Sequence, residues 1–499
     1  MREAMKKLIS LDRERGVITH IAALLGWDQE TYMPESGIDE RAEQLAIVEN
    51  LAHEKAVNPG IGELLNRLEG EKDLSGQEKA YLRVSRREYD KETKLPAGLV
   101  SEMARQTSLS QAAWVQARKN NDFKRFAPHL ATMIRLNLEK ASALNPGAPP
   151  YDVLLDLYEI GSTERSIADV FAVMKRDLVE ILGAIRSRPQ SDDSFLRRRV
   201  SPAAQARMSQ YFMGALGFDK HRGRLDTAAH PFTTTLGRDD IRITTRYIED
   251  YFPSSVFSTI HEAGHALYEM GLEVGPDYSG TRLADAASMA VHESQSRMWE
   301  NIIGRSLPFW GAHYGHIVPM AEGALEGVAL EDFYKGVNRV EASLIRTEAD
   351  EVSYGLHVIA RFELESALIK GDLAVEDLPG AWNDTMHQTL GVEVPDDRRG
   401  CLQDIHWSMG SFGYFPSYAL GNLYAAQFWT AMKAQIPSLE RSIAAGDCSP
   451  ALDWLREKVH REAAALLPSE LVLKATGSSL DPSHFTGYLR KKYSAIYGF

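Results

Sequence analysis

Cysteine is nearly absent. Only Cys401 and Cys448 occur among 499 residues, which excludes a disulfide scaffold and suits a reducing compartment. Long apolar runs are missing too. Stretches such as Ile21 to Leu25 fall far below the ~20 residues that cross a bilayer. The N-terminus, Met1-Arg-Glu-Ala-Met-Lys-Lys-Leu, has mixed charge and no apolar stretch of the kind a secretory leader carries. These absences predict a soluble, cytoplasmic protein without a membrane segment. Basic charge is in deficit. Lys plus Arg number 56 against 69 Asp plus Glu, a net charge of −13, which argues against nucleic acid or an anionic membrane surface as a partner. No repeat of 20–50 residues is present. What is there is core material. Hydrophobic residues are 44% and charged residues 25%, the balance of a globular chain that can offset its own entropy. Length alone suggests about three domains at roughly 100–200 residues each.

The hydrophobic pattern is mostly helical. Residues 38–55 put Leu45, Ile47, Val48 and Leu51 near a 3.6-residue period. Residues 164–185 do the same with Val170, Phe171, Val173, Met174, Leu178, Ile181 and Leu182. Two stretches break this pattern. Residues 186–202 are polar, hold two prolines and end near Arg197-Arg198-Arg199, which reads as a solvated connection or a boundary between lobes. Residues 230–248 are rich in Thr and β-branched residues around Gly-Arg-Asp-Asp, which reads as a β-hairpin. The fold class expected is mainly α with a small sheet.

Residues 261–265 read His-Glu-Ala-Gly-His. On a helix, positions i and i+4 lie on one face, so His261 and His265 can both reach one tetrahedral Zn²⁺. Glu262 then points to the side of an attacking water and can take its proton and pass it to the leaving amine. Ser254 or Ser255 can cap this helix after Pro253, Gly271 can end it, and Val256, Phe257, Ile260 and Leu267 can pack it. A five-residue pattern this short also arises by chance, so a third ligand decides. A second helix is expected at 286–303, carrying His292-Glu293-Ser294-Gln295 after a turn marked by Gly275-Pro276 and Gly280. Glu293 would leave the fourth metal position open. His292 is a rival, and because neighbours on a helix point about 100° apart, one of the two reaches the metal. Glu300, two turns on, is expected in solvent.

Further motifs make the chain recognisable. In order they are Gly26-Trp27-Asp28-Gln29-Glu30-Thr31-Tyr32-Met33-Pro34, His230-Pro231-Phe232, Asp240-Ile-Arg242-Ile-Thr244, the paired histidines, and His292-Glu293-Ser294-Gln295. Ile345-Arg346-Thr-Glu-Ala349-Asp350 and Gly400-Cys-Leu-Gln403-Asp404-Ile-His406-Trp407 complete the set. Over essentially its whole length the sequence resembles the carboxypeptidase Taq family of zinc metallocarboxypeptidases. The resemblance implies one peptidase domain over residues 1–499 in place of three, in a helical fold similar to neurolysin and angiotensin-converting enzyme. A lobe at 1–200 would cover a deep central groove, and a lobe at 201–499 would carry the metal. It also implies a homodimer, and release of single amino acids from peptide C-termini with broad side-chain tolerance. Glu293 becomes the third ligand of a single Zn²⁺, for which Co²⁺ can substitute.

A carboxypeptidase must also hold the free α-carboxylate of its substrate, and a guanidinium does this through two parallel charge-assisted bonds. Arg346 is the first choice for that role, against a structural ion pair with Asp350 on one helix face. Arg242 is the second choice, against a salt bridge to Asp240. His406 and Tyr414 are assigned, by analogy with neurolysin-like enzymes, to the oxygen that gains charge in the transition state, with Tyr418 beside them. Ordinary packing of an aromatic loop is the competing reading. Gln403 and Asp404 are candidates for orienting other side chains, and Cys401 is read as packing. The loop Gly280-Thr281-Arg282-Leu283-Ala284-Asp285 departs from the Gly/Pro-rich stretch of many relatives, so Arg282 and Asp285 are expected to alter the groove beside the metal. A neurolysin-like endopeptidase is the alternative function, and a non-catalytic helical peptide-binding protein a more distant one.

Overall fold

A computed structural model describes residues 2–499. The described residues are mainly helical, with one three-stranded sheet, as the periodicity predicts. They form two compact units, each gathered from three stretches of chain. Unit 1 takes the N-terminal stretch to Thr93, then Asp192–Val337 and Phe428–Ser479. Unit 2 takes Lys94–Ser191, Asn338–Gln427 and Leu480–Phe499. The first passage between units follows Thr93, and the second falls inside the polar, Pro-containing stretch at 186–202. No helix among the described residues is long and apolar enough to cross a membrane.

Unit 1 begins with α1 (Glu3–Thr31), which buries Ala4, Met5, Leu8, Ile9, Asp12 and Gly16 on one stripe. Helix α2 (Ile38–Ala56) forms where the pattern predicts it, yet only Ala56 is buried. Ile47 is 62% and Leu51 45% exposed. Periodicity specifies a helix with an apolar face; it does not supply something to cover that face. Helix α3 (Glu164–Arg186), in unit 2, behaves as expected. Thr163 and Ser166 form its capping box, and Phe171, Met174, Leu178, Ile181 and Leu182 are buried, while Val170 and Val173 stay partly exposed.

The predicted hairpin is β2 (Thr233–Gly237) against β3 (Asp240–Thr245), antiparallel. A strand not foreseen, β1 (Gly223–Thr227), pairs parallel with the other edge of β3. Its polar Gly-Arg-Leu-Asp-Thr sequence carries too little alternation to announce a strand. Ile241 and Ile243 are fully buried on β3, which packs on α4 (Pro253–Gly271).

Helix α4 begins with Pro253 at its first position and has no side-chain cap. Ser254 and Ser255 therefore lie inside it, and Ser255 Oγ donates instead to Gln205 Oε1, 2.7 Å away. Val256, Phe257, Ile260 and Leu267 are all buried. Helix α5 (Met289–Arg297) is capped by Ser288 and runs on into a π-helical turn, Met298–Ile303. Helices α4 and α5 meet at Gly264, where a Cβ would lie 2.8 Å from Ser296 Cα and 2.9 Å from the Gln295 carbonyl oxygen. Only a residue without a side chain permits that approach.

Candidate metal centre

In unit 1, α4 and α5 bring His261, His265 and Glu293 together, with one donor atom from each within 4.8 Å of the others. His265 Nε2 is 3.5 Å and His261 Nε2 3.9 Å from Glu293 Oε2. Both imidazoles are held from behind. His261 Nδ1 is 2.9 Å from Glu300 Oε2. A carboxylate only accepts, so the His261 proton sits on Nδ1 and the lone pair on Nε2. Glu300 is thus not in solvent. It is half-buried and accepts from Arg305 Nη2 at 3.1 Å, with Arg297 Nη1 3.5 Å away. Glu300 lies within the π-helical turn Met298–Ile303, two turns after Glu293 and so near the same face, and what sequence distance does not show is that His261 and Arg305 meet it there.

His292 is not one of the three clustered donors. Its Nδ1 lies 2.5 Å from His265 Nδ1 and its Nε2 lies 2.8 Å from Glu269 Oε1. Glu293 Oε1 accepts from Arg297 Nε at 2.6 Å. Burial disfavours its charge, but Arg297, His265 and His261 outweigh burial and hold Glu293 well below the usual carboxylate range. Burial and the neighbouring His292 push His265 down to about 3, so it is a neutral imidazole. Burial also acts to lower His261, yet Glu300, Glu293 and Glu262 together raise it. The pocket favours positive charge. Two imidazoles turned with Nε2 inward, one ionised carboxylate and this excess of acid fit a divalent ion.

Glu262 is 7% exposed and sits beside the donor atoms. Burial raises its carboxyl above the ordinary range, with His261 and Thr233 opposing. Thr233 Oγ1 donates to Glu262 Oε2 at 2.6 Å. The same face of β2 presents Thr235 Oγ1, 2.9 Å from Glu269 Oε2. Neither threonine was singled out in the sequence beyond the Thr-rich character of the hairpin.

Arg242 lies on β3 in a two-point ion pair with Asp240, both bonds 2.8 Å, and its guanidinium stacks over Trp27 at 4.2 Å. Its structural reading is the one the geometry carries. Arg282 also turns inward. It is buried, its Nε is 3.6 Å from Asp12 Oδ1, and its backbone N–H donates to Asp12 Oδ2 at 2.9 Å. The departing loop is therefore tied to α1, while Asp285 lines a cavity with Glu269 and Arg15.

Unit 2 holds the remaining candidates. Arg346 is in a short 3₁₀ turn, Arg346–Glu348, rather than on a helix with Asp350. Asp350 instead accepts from the backbone N–H groups of Val352 and Ser353 at the start of α6 (Ser353–Lys370). Arg346 pairs with Asp404, Nε to Oδ1 at 2.9 Å, and donates to Tyr354 Oη at 3.2 Å. Arg361, on α6 and fully buried, bonds the other oxygen of Asp404 at 2.6 Å. Two guanidiniums on one carboxylate leave a net positive cluster. Gln403 Oε1 accepts the Arg346 backbone N–H at 3.0 Å.

His406 Nε2 is 3.2 Å from Tyr418 Oη, and Tyr414 and Tyr418 pack edge to face at 5.2 Å. Burial lowers His406 to about 4, so it is neutral and can donate from one nitrogen. The loop is shaped by Gly413, at φ 90°, where a Cβ would lie 2.5 Å from the Leu154 carbonyl oxygen. Gly413 N donates to Glu365 Oε1 at 2.5 Å, Tyr151 Oη to the same oxygen at 2.9 Å, and Trp407 Nε1 to Oε2 at 2.8 Å. Cys401 is buried and unpaired, as expected of a packing residue.

Comparison with known proteins agrees with this geometry. Residues 7–493 match the family described as carboxypeptidase Taq (M32) metallopeptidases. The chain is 42% identical to thermostable carboxypeptidase 1 of Thermus thermophilus, covering 99% of each chain. It is 37% identical to carboxypeptidase 1 of Bacillus subtilis, covering 99% of this chain and 98% of that one. The crystal structure of the M32 carboxypeptidase from Deinococcus radiodurans superposes with a TM-score of 0.97 at 39% identity, covering 100% of both chains.

Proposed function

The chain belongs to the carboxypeptidase Taq (M32) metallopeptidases, and from that premise we propose that it is a zinc enzyme releasing single amino acids from peptide C-termini, with Glu262 as general base. Membership makes it a metallocarboxypeptidase dependent on a divalent metal. The observation that carries the finer reading is the Nε2-inward arrangement of His261 and His265 around Glu293, with Glu262 adjoining. Two imidazoles and one carboxylate suit Zn²⁺, and Co²⁺ has the ligand preferences to replace it. A bound ion would supply Lewis-acid chemistry, polarising the scissile carbonyl and acidifying water.

The chain's own groups do the rest. Glu262, its carboxyl raised by burial and steadied by Thr233, accepts a proton from the attacking water on a carboxylate oxygen and returns it to the leaving nitrogen. Arg346 recognises the terminal carboxylate. Its bonds to Asp404 and Tyr354 fix the guanidinium, and Arg361 offsets the charge of Asp404, so the cluster keeps a positive excess. Neutral His406, with Tyr414 and Tyr418, donates hydrogen bonds toward the oxygen that gains charge in the transition state. Recognition through a main-chain carboxylate leaves the terminal side chain largely unread, which supports broad specificity. Homodimeric assembly and a cytoplasmic location complete the reading.

Glu262→Gln tests the proposal. The variant is expected to retain its metal by elemental analysis and to lose turnover, whereas near wild-type activity overturns the assignment. Amidating the C-terminus of a test peptide should abolish most cleavage, and Arg346→Lys should raise KM for the free acid. Equal cleavage of acid and amide would show that no terminal carboxylate is read.

A further inference from the structure

We infer that Glu269, acting through His292, orients the metal ligand His265, with Thr235 holding the carboxylate in place. The inference rests on the reading of His261, His265 and Glu293 as the metal ligands. The order of donors and acceptors follows from its two ends. Glu269 Oε1 only accepts, so the hydrogen bond at 2.8 Å places the His292 proton on Nε2. A metal ligand at His265 Nε2 has its lone pair on that nitrogen and its proton on Nδ1, which faces His292 Nδ1 at 2.5 Å. His292 Nδ1 is then the acceptor, and His265 Nε2 lies 3.5 Å from Glu293 Oε2. The second oxygen of Glu269 takes the Thr235 hydroxyl at 2.9 Å, so the carboxylate is held on both sides. Tyr268, packed edge to face on His292 at 5.5 Å, limits rotation of that ring.

The two histidine ligands are thus supported differently. Glu300 holds His261 directly. Glu269 holds His265 through a second imidazole, which transmits orientation while keeping the carboxylate one ring further from the metal position. Glu269, His292 and Thr235 are positioning residues, not ligands, and partners of this kind are worth ~10–100-fold in metal affinity.

The test uses full-length protein, Zn²⁺ alone in competition with a chromophoric chelator, and the absorption spectrum of the Co²⁺-loaded form. Glu269→Met keeps the side-chain length and removes both acceptors. It should weaken Zn²⁺ binding at least about tenfold and alter the Co²⁺ spectrum. Glu269→Gln keeps an acceptor oxygen and should recover most of the affinity. Thr235→Val should weaken binding by a smaller factor, and Thr235→Ser should restore it. Zn²⁺ affinity and Co²⁺ spectrum unchanged in folded Glu269→Met overturn the inference; if that variant does not fold, an unchanged affinity in Thr235→Val does so. His265→Ala separates this outcome from failure of the ligand reading. Retention of metal by His265→Ala overturns the ligand set itself, whereas its loss beside an unaffected Glu269→Met overturns only the supporting arm.

Discussion

At the scale of single residues, Glu262, the proposed acid–base group, is held by a hydroxyl that lies outside its motif. The Thr233 hydroxyl lies 2.6 Å from Glu262 Oε2 and 3.1 Å from the Glu262 backbone carbonyl, and the shorter contact is to the carboxylate. A hydrogen bond to a charged group is worth about 1.5–3 kcal/mol, so Thr233→Val should lower kcat by roughly ten- to a hundredfold with KM little changed, and Thr233→Ser should restore it. Steady-state kinetics on one peptide reads both. Glu365 makes a different prediction. Burial raises its carboxyl to about 7, against the three donors that favour ionisation. The folded state therefore keeps a proton that the unfolded chain has lost. Its stabilising contribution is full below about pH 4.5 and declines as pH rises to about 7, a change of the order of 3 kcal/mol. Glu365→Gln should flatten the fall in stability over that interval, measured by urea unfolding at several pH values; parallel curves would refute the assignment. The sequence makes His261, His265, Glu262 and Glu293 legible because their spacing is itself the geometry of a helical metal site. Glu300, Glu269, Thr233 and Arg361 are not legible in that way. Each reaches its partner across two elements, and no local pattern records such a meeting.

At the scale of elements, the metal position is set by how closely α4 and α5 approach. Gly264→Ala would place a methyl 2.8 Å from the Ser296 backbone. Separating the helices should cost about 1–3 kcal/mol and weaken metal binding together with stability, read by thermal unfolding and chelator competition. The same substitution at the exposed Gly183, where a Cβ meets nothing, should leave metal affinity unchanged. Helices are the legible elements here, since α2, α3 and α4 all form where periodicity places them. Their partners are less so. The apolar residues of α2 predict a covered face, of which Leu45 and Val48 are half-buried while Ile47 and Leu51 stay exposed, and β1 is too short and polar to be read before its neighbour β3 is known. The π-helical turn after α5 has no sequence signal of its own, and Glu300 sits within it, behind His261.

At the scale of the whole molecule, each unit is sewn together by contacts between distant stretches. Asp12 on α1 accepts from Arg15, Tyr81 and the Arg282 backbone and faces the buried Arg282 side chain. Removing it leaves a buried guanidinium without its carboxylate. Asp12→Ala should cost about 3 kcal/mol, and Arg282→Met less, because Arg15 and Tyr81 still satisfy Asp12. Denaturant unfolding of both variants gives the order, and the reverse order would refute this account of α1. The interleaving of units was hidden in the sequence, since local composition marks a connection but not which stretches it rejoins. The two cysteines show what the opening scarcity means in practice. Cys448 lies in unit 1 and Cys401 in unit 2; both are buried, and burial raises both thiols. The native protein should thus be silent to a thiol reagent that counts two groups after unfolding. It is a ready-made blank for labelling. One cysteine introduced at an exposed site in either unit would carry a single dye with no need to delete the natural thiols, turning local changes in that unit during turnover into an optical signal.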